Sequence, residues 1–563
     1  MATLSLLAIT VMLQAGPAWA DHQVVDRVSS GPLGGNTGQE ADSFTISRDG
    51  SRSFVSTRER LVSEDTDDER DIYQRVAATT TLLSTGPAGG NGSFPAVFWG
   101  MSEDGSTVLF YTSERLTADD TDNRRDFYVR TGGTTALVST GPAGGNGDFD
   151  VLDHTARMSA DGSTVVFETR EQLTADDTDA LVDIYLRTGG QTTRIAGDGL
   201  FGLSRDGQRV FLRTNRHLTQ DDTDGDFSDD AYMWEAGTTT ILSVGPSGEN
   251  PNQGVFFEHV DADGRHVVFT TFGRLVPEDT DDQADVYQRA GDAIERVGSG
   301  DALDVSADGS HVFFMTIDRL LSADTDSQSD IYVRAGGSTE LVSAGPLAGD
   351  DEFQALGFQG STPDGSHAFF HTAERLTPED NDGATSLYRY SGGPAAQYVA
   401  PSANFPAWSD DGQRVFVVTH MPLVPSDTDT GCSDADIVGC EDVYEIRDGQ
   451  ATLLSTGPGD PNAGDSGVCR NVSSIRIVVD CRLAISADGS RVLFWHNAPL
   501  LAGDTDSSFD VWLASTGPVR SDYRNASHFC RAEREFLGEG AFRERYGTNG
   551  RGSNAFGKCV SSK

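Results

Sequence analysis

An Asp-Thr-Asp triplet followed four residues later by a third Asp is the pattern in this 563-residue chain best suited to chemistry. It occurs as Asp65/Asp67/Asp71, Asp120/Asp122/Asp126, Asp177/Asp179/Asp183, Asp279/Asp281/Asp285, Asp324/Asp326/Asp330 and Asp504/Asp506/Asp510. Three further copies depart from it: Asp222/Asp224/Asp230 is stretched, Ser386 takes the third place after Asp380, and an insertion holding Cys432 and Cys440 precedes Asp442. Three carboxylates on one loop repel unless a proton, an arginine or a cation offsets them. Hard oxygen ligands at this spacing suit Ca²⁺, which takes six to eight oxygens and can borrow loop carbonyls and water. The loop is not an EF-hand, since the nearest stretch has Phe227 in place of the required Gly and Met233 in place of the bidentate Glu.

The competing reading needs no metal. An Asp that opens a strand commonly accepts backbone N–H groups and fixes a turn. Arginines could also neutralise the loops: Arg60, Arg115, Arg274, Arg319 and Arg375 lie just before a recurring Leu, and Arg75, Arg130, Arg187, Arg289 and Arg334 share a strand face with the third Asp. The sequence favours structural turns with arginine pairing and leaves calcium as the alternative.

The elements that position these loops repeat nine times. An Asp-Gly turn (Asp49, Asp104, Asp161, Asp206, Asp263, Asp308, Asp364, Asp411, Asp488) stands sixteen residues before each first loop Asp, and a Leu stands four before it, which predicts one buried side chain per unit. Repeat lengths vary between 45 and 77 residues, and the variation falls in Gly/Pro segments such as 141–146, expected as surface connections. In the second unit, 96–102, 106–112, 126–131 and 134–140 read as four short strands around Asp104-Gly105 and Gly132-Gly133 turns. Four-stranded units of this period bury their faces by stacking around an axis, so the expected fold is an all-β propeller of nine blades.

The ends sharpen this expectation. The last unit lacks a fourth strand, whereas Val28-Ser29-Ser30-Gly31-Pro32 copies the fourth-strand ending Val138-Ser139-Thr140-Gly141-Pro142. Residues 23–30 should therefore complete the ninth blade and close the ring. Two smaller rings are the alternative. The turns Ser159–Phe167, Ser306–Phe314 and Ser486–Phe494 resemble the WD40-like repeats of TolB-type bacterial propellers, over roughly residues 23–518. That resemblance implies a propeller and, for function, little beyond binding or scaffolding.

The chain carries 87 acidic against 42 basic residues, a formal charge of −45, which argues against nucleic acid or an anionic membrane as partner. Residues 1–20 read as a secretory signal, with a retained anchor as the alternative, and no other span is visible. All six cysteines lie between 432 and 559, in keeping with export and disulfides, and local pairing of 432 with 440, 469 with 481 and 530 with 559 is expected. Residues 520–563 carry nine basic and five acidic residues and read as an appendage of one or two short helices, interrupted near Gly538 and Gly540 and stapled by Cys530–Cys559.

Catalytic patterns are weak. Gly464-Asp465-Ser466-Gly467 copies a serine-nucleophile motif inside a Gly/Asp-rich insertion, no Gly-x-Ser-x-Gly elbow exists, and His-x-x-x-His and Cys-x-x-Cys are absent. His266, His311 and His367 occupy matching places and are expected on strand surfaces. The reading is therefore a secreted, periplasmic or cell-surface monomer that binds a protein or glycan, with an extracellular hydrolase using carboxylates of a central cleft as the alternative.

Overall fold

The computed structural model describes residues 22–145, 147–152, 155–225, 228–325, 327–347, 355–381, 383–393, 395–428, 441–456, 483–501, 503–517, 524–546 and 554–562. Cys432, Cys440, Cys469, Cys481, Asp326 and Asp382 lie outside them, as do residues 1–20 and the Gly464–Gly467 motif. The described residues form two compact units, residues 24–514 and a unit that includes the C-terminal segment from Ser515.

Residues 24–514 build nine antiparallel four-stranded sheets. Blade 2 is typical, with strands Val97–Met101, Thr107–Thr112, Asp126–Thr131 and Thr134–Leu137 in simple meander order. In the ninth sheet, Gln23–Arg27 takes the outer place beside Asp510–Ser515, as the copied strand ending predicts. The Val28 N–H donates to the Val511 carbonyl at 2.7 Å.

The second strand of blade 2, Thr107–Thr112, is buried at every residue, so the alternation expected of a one-faced sheet is absent. Each sheet is sandwiched between two neighbours and buries both faces. Nine apolar clusters fill the nine interfaces. One of them joins Val55, Leu61 and Tyr73 of blade 1 to Leu493, Val511 and Leu513 of blade 9. Another joins Phe54 and Ile72 of blade 1 to Phe110 and Tyr128 of blade 2. A packed interface between the first and last blades excludes an open sandwich and two separate rings.

The Asp-Gly turns add a second closure. In blade 1 the Ser47 hydroxyl donates to Asp49 at 2.7 Å and accepts the Arg52 N–H at 3.0 Å. The residue after each such Ser, or after its Asp261 counterpart, donates its N–H to the matching carbonyl of the next blade. The chain of bonds runs Arg48 to Glu103, Ala160, Arg205, Ala262, Ala307 and Pro363, then from Asp410 to Ala487 and back to Arg48, at 2.7–3.1 Å. Only the step from Pro363 to Asp410 is missing, because proline has no N–H. Glycine is required in these turns: at Gly309, φ is +72° and a Cβ would lie 2.2 Å from the His266 ring. His266, His311 and His367 thus pack beneath the glycine of the next blade's turn rather than standing free on a strand surface.

The recurring Leu is buried in six blades (Leu61, Leu116, Leu173, Leu275, Leu376, Leu500) but not in all nine. Leu320 is 38% exposed, and Leu218 and Leu423 are half-buried. The buried six follow long connections. For example, the Leu33, Ala88 and Ala143 N–H groups donate to the carbonyls of Leu61, Leu116 and Leu173 at 3.1–3.2 Å. Blades 4, 6 and 8 follow short connections, as from Ile195 to Leu200 and from Ser299 to Asp301, which leave the Leu uncovered.

The C-terminal unit holds two helices, Ala526–Tyr546 and Ala555–Ser562, joined by the Cys530–Cys559 disulfide and a core of Phe529, Phe542 and Ala555. Gly538 and Gly540 do not interrupt the first helix. Two interior glycines cost about 1 kcal/mol each relative to Ala, and aromatic anchors on both sides hold the helix together.

Replacing Ala487 with Pro removes the N–H that links blade 9 to blade 1, at a position whose counterpart in blade 7 is already proline. The expected cost is on the order of 1 kcal/mol, read as a lower urea midpoint. An unchanged midpoint would show that the axial ring adds nothing to stability.

Candidate metal centre

Each acidic loop joins the second and third strands of its blade, and the third Asp opens the third strand. The first two aspartates behave as structural turns. Asp65 Oδ1 accepts the Asp67 N–H at 3.3 Å and Asp67 accepts the Glu69 N–H at 2.7 Å, and Asp120 and Asp122 repeat both bonds at 3.3 and 2.6 Å. The other oxygen of the first Asp accepts a buried tyrosine hydroxyl, Tyr73 on Asp65 and Tyr128 on Asp120. The same pairing recurs as Tyr287 on Asp279 at 2.6 Å and Tyr388 on Asp380 at 2.5 Å.

The third Asp is held differently. In blade 2 the Phe127 N–H donates to Ser139 Oγ at 3.0 Å, and the Ser139 hydroxyl donates to Asp126 Oδ1 at 2.5 Å. Ile72, Ser84 and Asp71 form the same relay in blade 1. In blade 9 the serine is Ser29, which donates to Asp510 at 2.5 Å from a position 481 residues away in sequence. Sequence reading overlooked these serines, although a Ser thirteen residues after the third Asp is a regular spacing in six of the nine units once Ser29 is counted for the last, and it gave no role to the Tyr that stands two after the third place.

A carboxylate oxygen from each of three residues comes within 4.8 Å of the others in Asp65/Asp67/Asp71, Asp120/Asp122/Asp126, Asp177/Asp179/Asp183 and Asp279/Asp281/Asp285. In blade 4 the corresponding group is His217, Asp222 and Asp224. Asp71 and Asp126 are each 5% exposed, and the Oδ2 of each is buried with no hydrogen-bond partner.

In blade 6 the expected set Asp324, Asp326 and Asp330 is described only in part. Asp326 lies outside the described residues, so only the two ends of the set are placed. Asp330 opens the strand Asp330–Ala335, is buried, and accepts the Ser343 hydroxyl at 2.6 Å, while the Ile331 N–H donates to Ser343 at 3.0 Å. Asp324 accepts the Tyr332 hydroxyl. Asp330 is thus seated by the same serine relay as Asp71 and Asp126, and its part as a metal ligand stays an expectation of the sequence.

The expected arginines before the recurring Leu act on the first aspartates: burial raises Asp65 and Asp120, and the charges of Arg60 and Arg115 oppose that rise. None of those expected to share a face with the third Asp reaches it among the described contacts. Arg60, Arg115 and Arg274 donate to the backbone carbonyls of Asp67, Asp122 and Asp281. Arg130 reaches the Thr85 carbonyl at 2.8 Å and Arg289 the Val244 carbonyl at 2.8 Å, both on the preceding blade. Arg334, expected to pair with Asp330, donates to the Thr339 hydroxyl at 3.3 Å. Four residues along a strand separate these arginines from the third Asp by roughly 13 Å, too far for a guanidinium to turn back. Three loops are instead neutralised by arginines that the sequence did not single out. Arg194 and Arg216 bracket Asp183 at 2.7 and 3.1 Å, Arg296 meets Asp285 at 2.5 Å, and Arg27 meets Asp510 at 3.2 Å and Asp504 at 3.0 Å.

Electrostatics separates the blades accordingly. Burial pushes Asp71 up to about 8 against the pull of the Ser84 hydroxyl, and the largest charges that act on it, Asp65, Asp67 and Glu114 of the next blade, are all carboxylates. Asp126 is pushed to about 8 in the same way, with Asp120, Asp122 and Glu171 around it. Burial lifts Asp183 and Asp285 too, but Arg194 and Arg296 pull them back. In Asp510, raised by burial to about 7, Ser29 and Arg27 oppose the rise.

The Asp-Gly turns border an open pocket of about 330 Å³ whose lining includes Arg48, Glu103, Trp408 and Asp410. Its two acids are engaged by arginines two blades away, Asp410 by Arg48 and Glu103 by Arg205.

These shifts set a pH dependence with opposite signs at its two ends. The raised Asp71 and Asp126 contribute stability that is present near pH 4 and is lost as pH rises through about 8. The turn aspartates act the other way: hydrogen bonds from the Ser310 hydroxyl and N–H and from Ser306 hold Asp308 at about 2, so its contribution is lost only as pH falls below about 4 toward that value. In chelator, the urea midpoint is expected to be highest near pH 4 and to fall from there to about pH 8. A midpoint that climbs from pH 5 to pH 8 would contradict the assignment of the third aspartates.

No protein-family model and no curated protein matches this chain. Among solved structures, the β-propeller domain of the trilobed protease from Pyrococcus furiosus aligns over 65% of this chain and 99% of its own at 10% identity, with a TM-score of 0.32. TolB from Acinetobacter baumannii aligns over 65% and 79% at 13% identity, with a TM-score of 0.25. The tricorn protease aligns over 92% of this chain but only 47% of its own length, at 11% identity and a TM-score of 0.33. These likenesses bear on fold alone, and the fold rests on the strand pairing and the nine interfaces. By its strand pairing and its closed set of interfaces, the chain is a nine-bladed β-propeller.

Proposed function

We propose that this chain is an exported binding or scaffold propeller that takes up calcium in its acidic loops. The observation that carries the reading is the third aspartate of blades 1 and 2: a buried carboxyl, one oxygen held by a serine hydroxyl and the other without a hydrogen-bond partner, with neighbouring carboxylates as the largest charges acting on it. A buried charge of this kind must be protonated or paired. A divalent cation pairs it and the two aspartates beside it at once.

Export fits the same reading. The Cys530–Cys559 disulfide belongs to an oxidising compartment, and calcium is available outside the cell. Among the described residues, no helix is long and apolar enough to cross a membrane. The binding reading is preferred over a hydrolase because both acids lining the open pocket are held in ion pairs with arginines. The remaining acidic surface suits a basic or cation-bridged protein or glycan.

Calcium that binds the folded chain alone stabilises it by about 2.7 kcal/mol per site at a hundredfold excess over Kd. A thermal melt should therefore rise by several degrees in millimolar calcium and fall after EDTA. An identical melt in both conditions would remove calcium from this reading.

A further inference from the structure

Nine copies of one loop show what each has done about its buried carboxylate, and the solution follows the length of the connection after the blade. Where the connection is long, its first residues supply the serine of the relay: Ser84, Ser139, Ser243, Ser343 and Ser455, with Ser29 doing so for blade 9. Where it is short, after blades 3, 5 and 7, that serine is missing. The third Asp then meets an arginine in blades 3 and 5, and in blade 7 it is replaced by Ser386.

The arginines come from one strand register. Arg194 pairs across the sheet with Tyr185 and Arg296 with Tyr287. The same register in blades 1 and 2 holds Leu82 opposite Tyr73 and Leu137 opposite Tyr128. A leucine there cannot neutralise anything. The loop in blades 3 and 5 is thus a demonstration, within this chain, that the third aspartate accepts a cation, and blades 1 and 2 keep that aspartate without a guanidinium on it, Arg60 and Arg115 acting on the first aspartate instead.

The geometry points to divalent-cation sites at Asp65/Asp67/Asp71 and at Asp120/Asp122/Asp126, and to none at Asp177/Asp179/Asp183 or Asp279/Asp281/Asp285, where arginine already holds the cation's place. Two observations carry this assignment: the unpartnered, buried Oδ2 of Asp71 and of Asp126, and the guanidinium on the equivalent carboxyl of the other two blades, which at Asp285 is an ion pair with Arg296 on oxygens that have no hydrogen-bond partner. The assignment rests on the reading that the acidic loops take calcium and deepens it by naming the blades.

The test counts calcium ions per full-length chain by mass spectrometry after gel filtration in calcium buffer. Asp71→Asn and Asp126→Asn should each lower the count by one ion and together by two, and Asp183→Asn and Asp285→Asn should leave it unchanged. An asparagine stands in for the protonated carboxyl, so the first two variants are expected to fold. Should any variant fail to fold, wild-type crystals grown with calcium decide, by anomalous scattering at Asp71 and Asp126 and none at Asp183 or Asp285. Calcium uptake that is unchanged in both Asp71→Asn and Asp126→Asn, or an ion found at Asp183 or Asp285, overturns the assignment while leaving calcium binding intact. A wild-type chain that takes up no calcium overturns the wider reading and this one together.

Discussion

Closure of the ring by the strand Gln23–Arg27 is the constraint on which the rest of the structure depends. It fills the one open edge that nine repeats leave, and it brings more than backbone pairing. Arg27 and Ser29 arrive with it and complete the acidic loop of blade 9, the one with its first and third aspartates and the other with its third. The ninth site is therefore assembled from the two ends of the propeller. Contacts across nearly five hundred residues are costly to reach in folding. Once made, they complete the ninth sheet with the segment that leads into blade 1, and blades 9 and 1 are further coupled by an apolar cluster and an axial hydrogen bond.

The same closure explains why middle strands depart from simple alternation. A blade in a closed ring has no solvent face, so Val108, Leu109, Phe110 and Tyr111 are all buried on one strand. Polar groups on such a strand survive only where a specific partner meets them. Tyr128 is admitted because its hydroxyl finds Asp120, and Asp126 because Ser139 meets one of its oxygens. The acidic loop and the apolar interface are thus one design: the tyrosine that fills the core also fixes the first aspartate.

Much of this was legible in sequence. The nine-fold spacing, the missing last strand and the copied Val-Ser-Ser-Gly-Pro ending predicted both the number of blades and the residues that close them. What stayed hidden was partnership across strands. Arg75 and Arg130 share a face with the third Asp, yet their guanidiniums extend away from it, whereas Arg194 and Arg296 reach it from the neighbouring strand through a register that repeat spacing alone does not define. Arg334 and Asp330 repeat the lesson in blade 6, where the carboxyl is met by Ser343 of the following strand end and the guanidinium by Thr339. The short repeats were read as loop variation. They also remove the relay serine and uncover Leu320, so a length difference was in fact a difference in chemistry. Gly538 and Gly540 misled in the opposite direction, because local helix propensity is weaker than the anchoring of Phe529 and Phe542 in a shared core.

The acidic loops also show how a repeat protein diversifies under a fixed electrostatic demand. A third aspartate held at the start of an interior strand cannot stay charged and alone, whatever blade it is in. An arginine on the next strand answers the demand permanently, as at Asp183. A serine in place of the aspartate abolishes it, as at Ser386. A carboxyl with a free oxygen answers it conditionally, with a proton or a metal ion according to the medium. Blades 1 and 2 are neighbours and share the conditional answer, so their stability is tied to the solution outside the molecule, while blades 3 and 5 carry their counter-charge with them. The ring thereby combines blades whose electrostatics are settled at synthesis with blades whose electrostatics depend on where the protein finds itself.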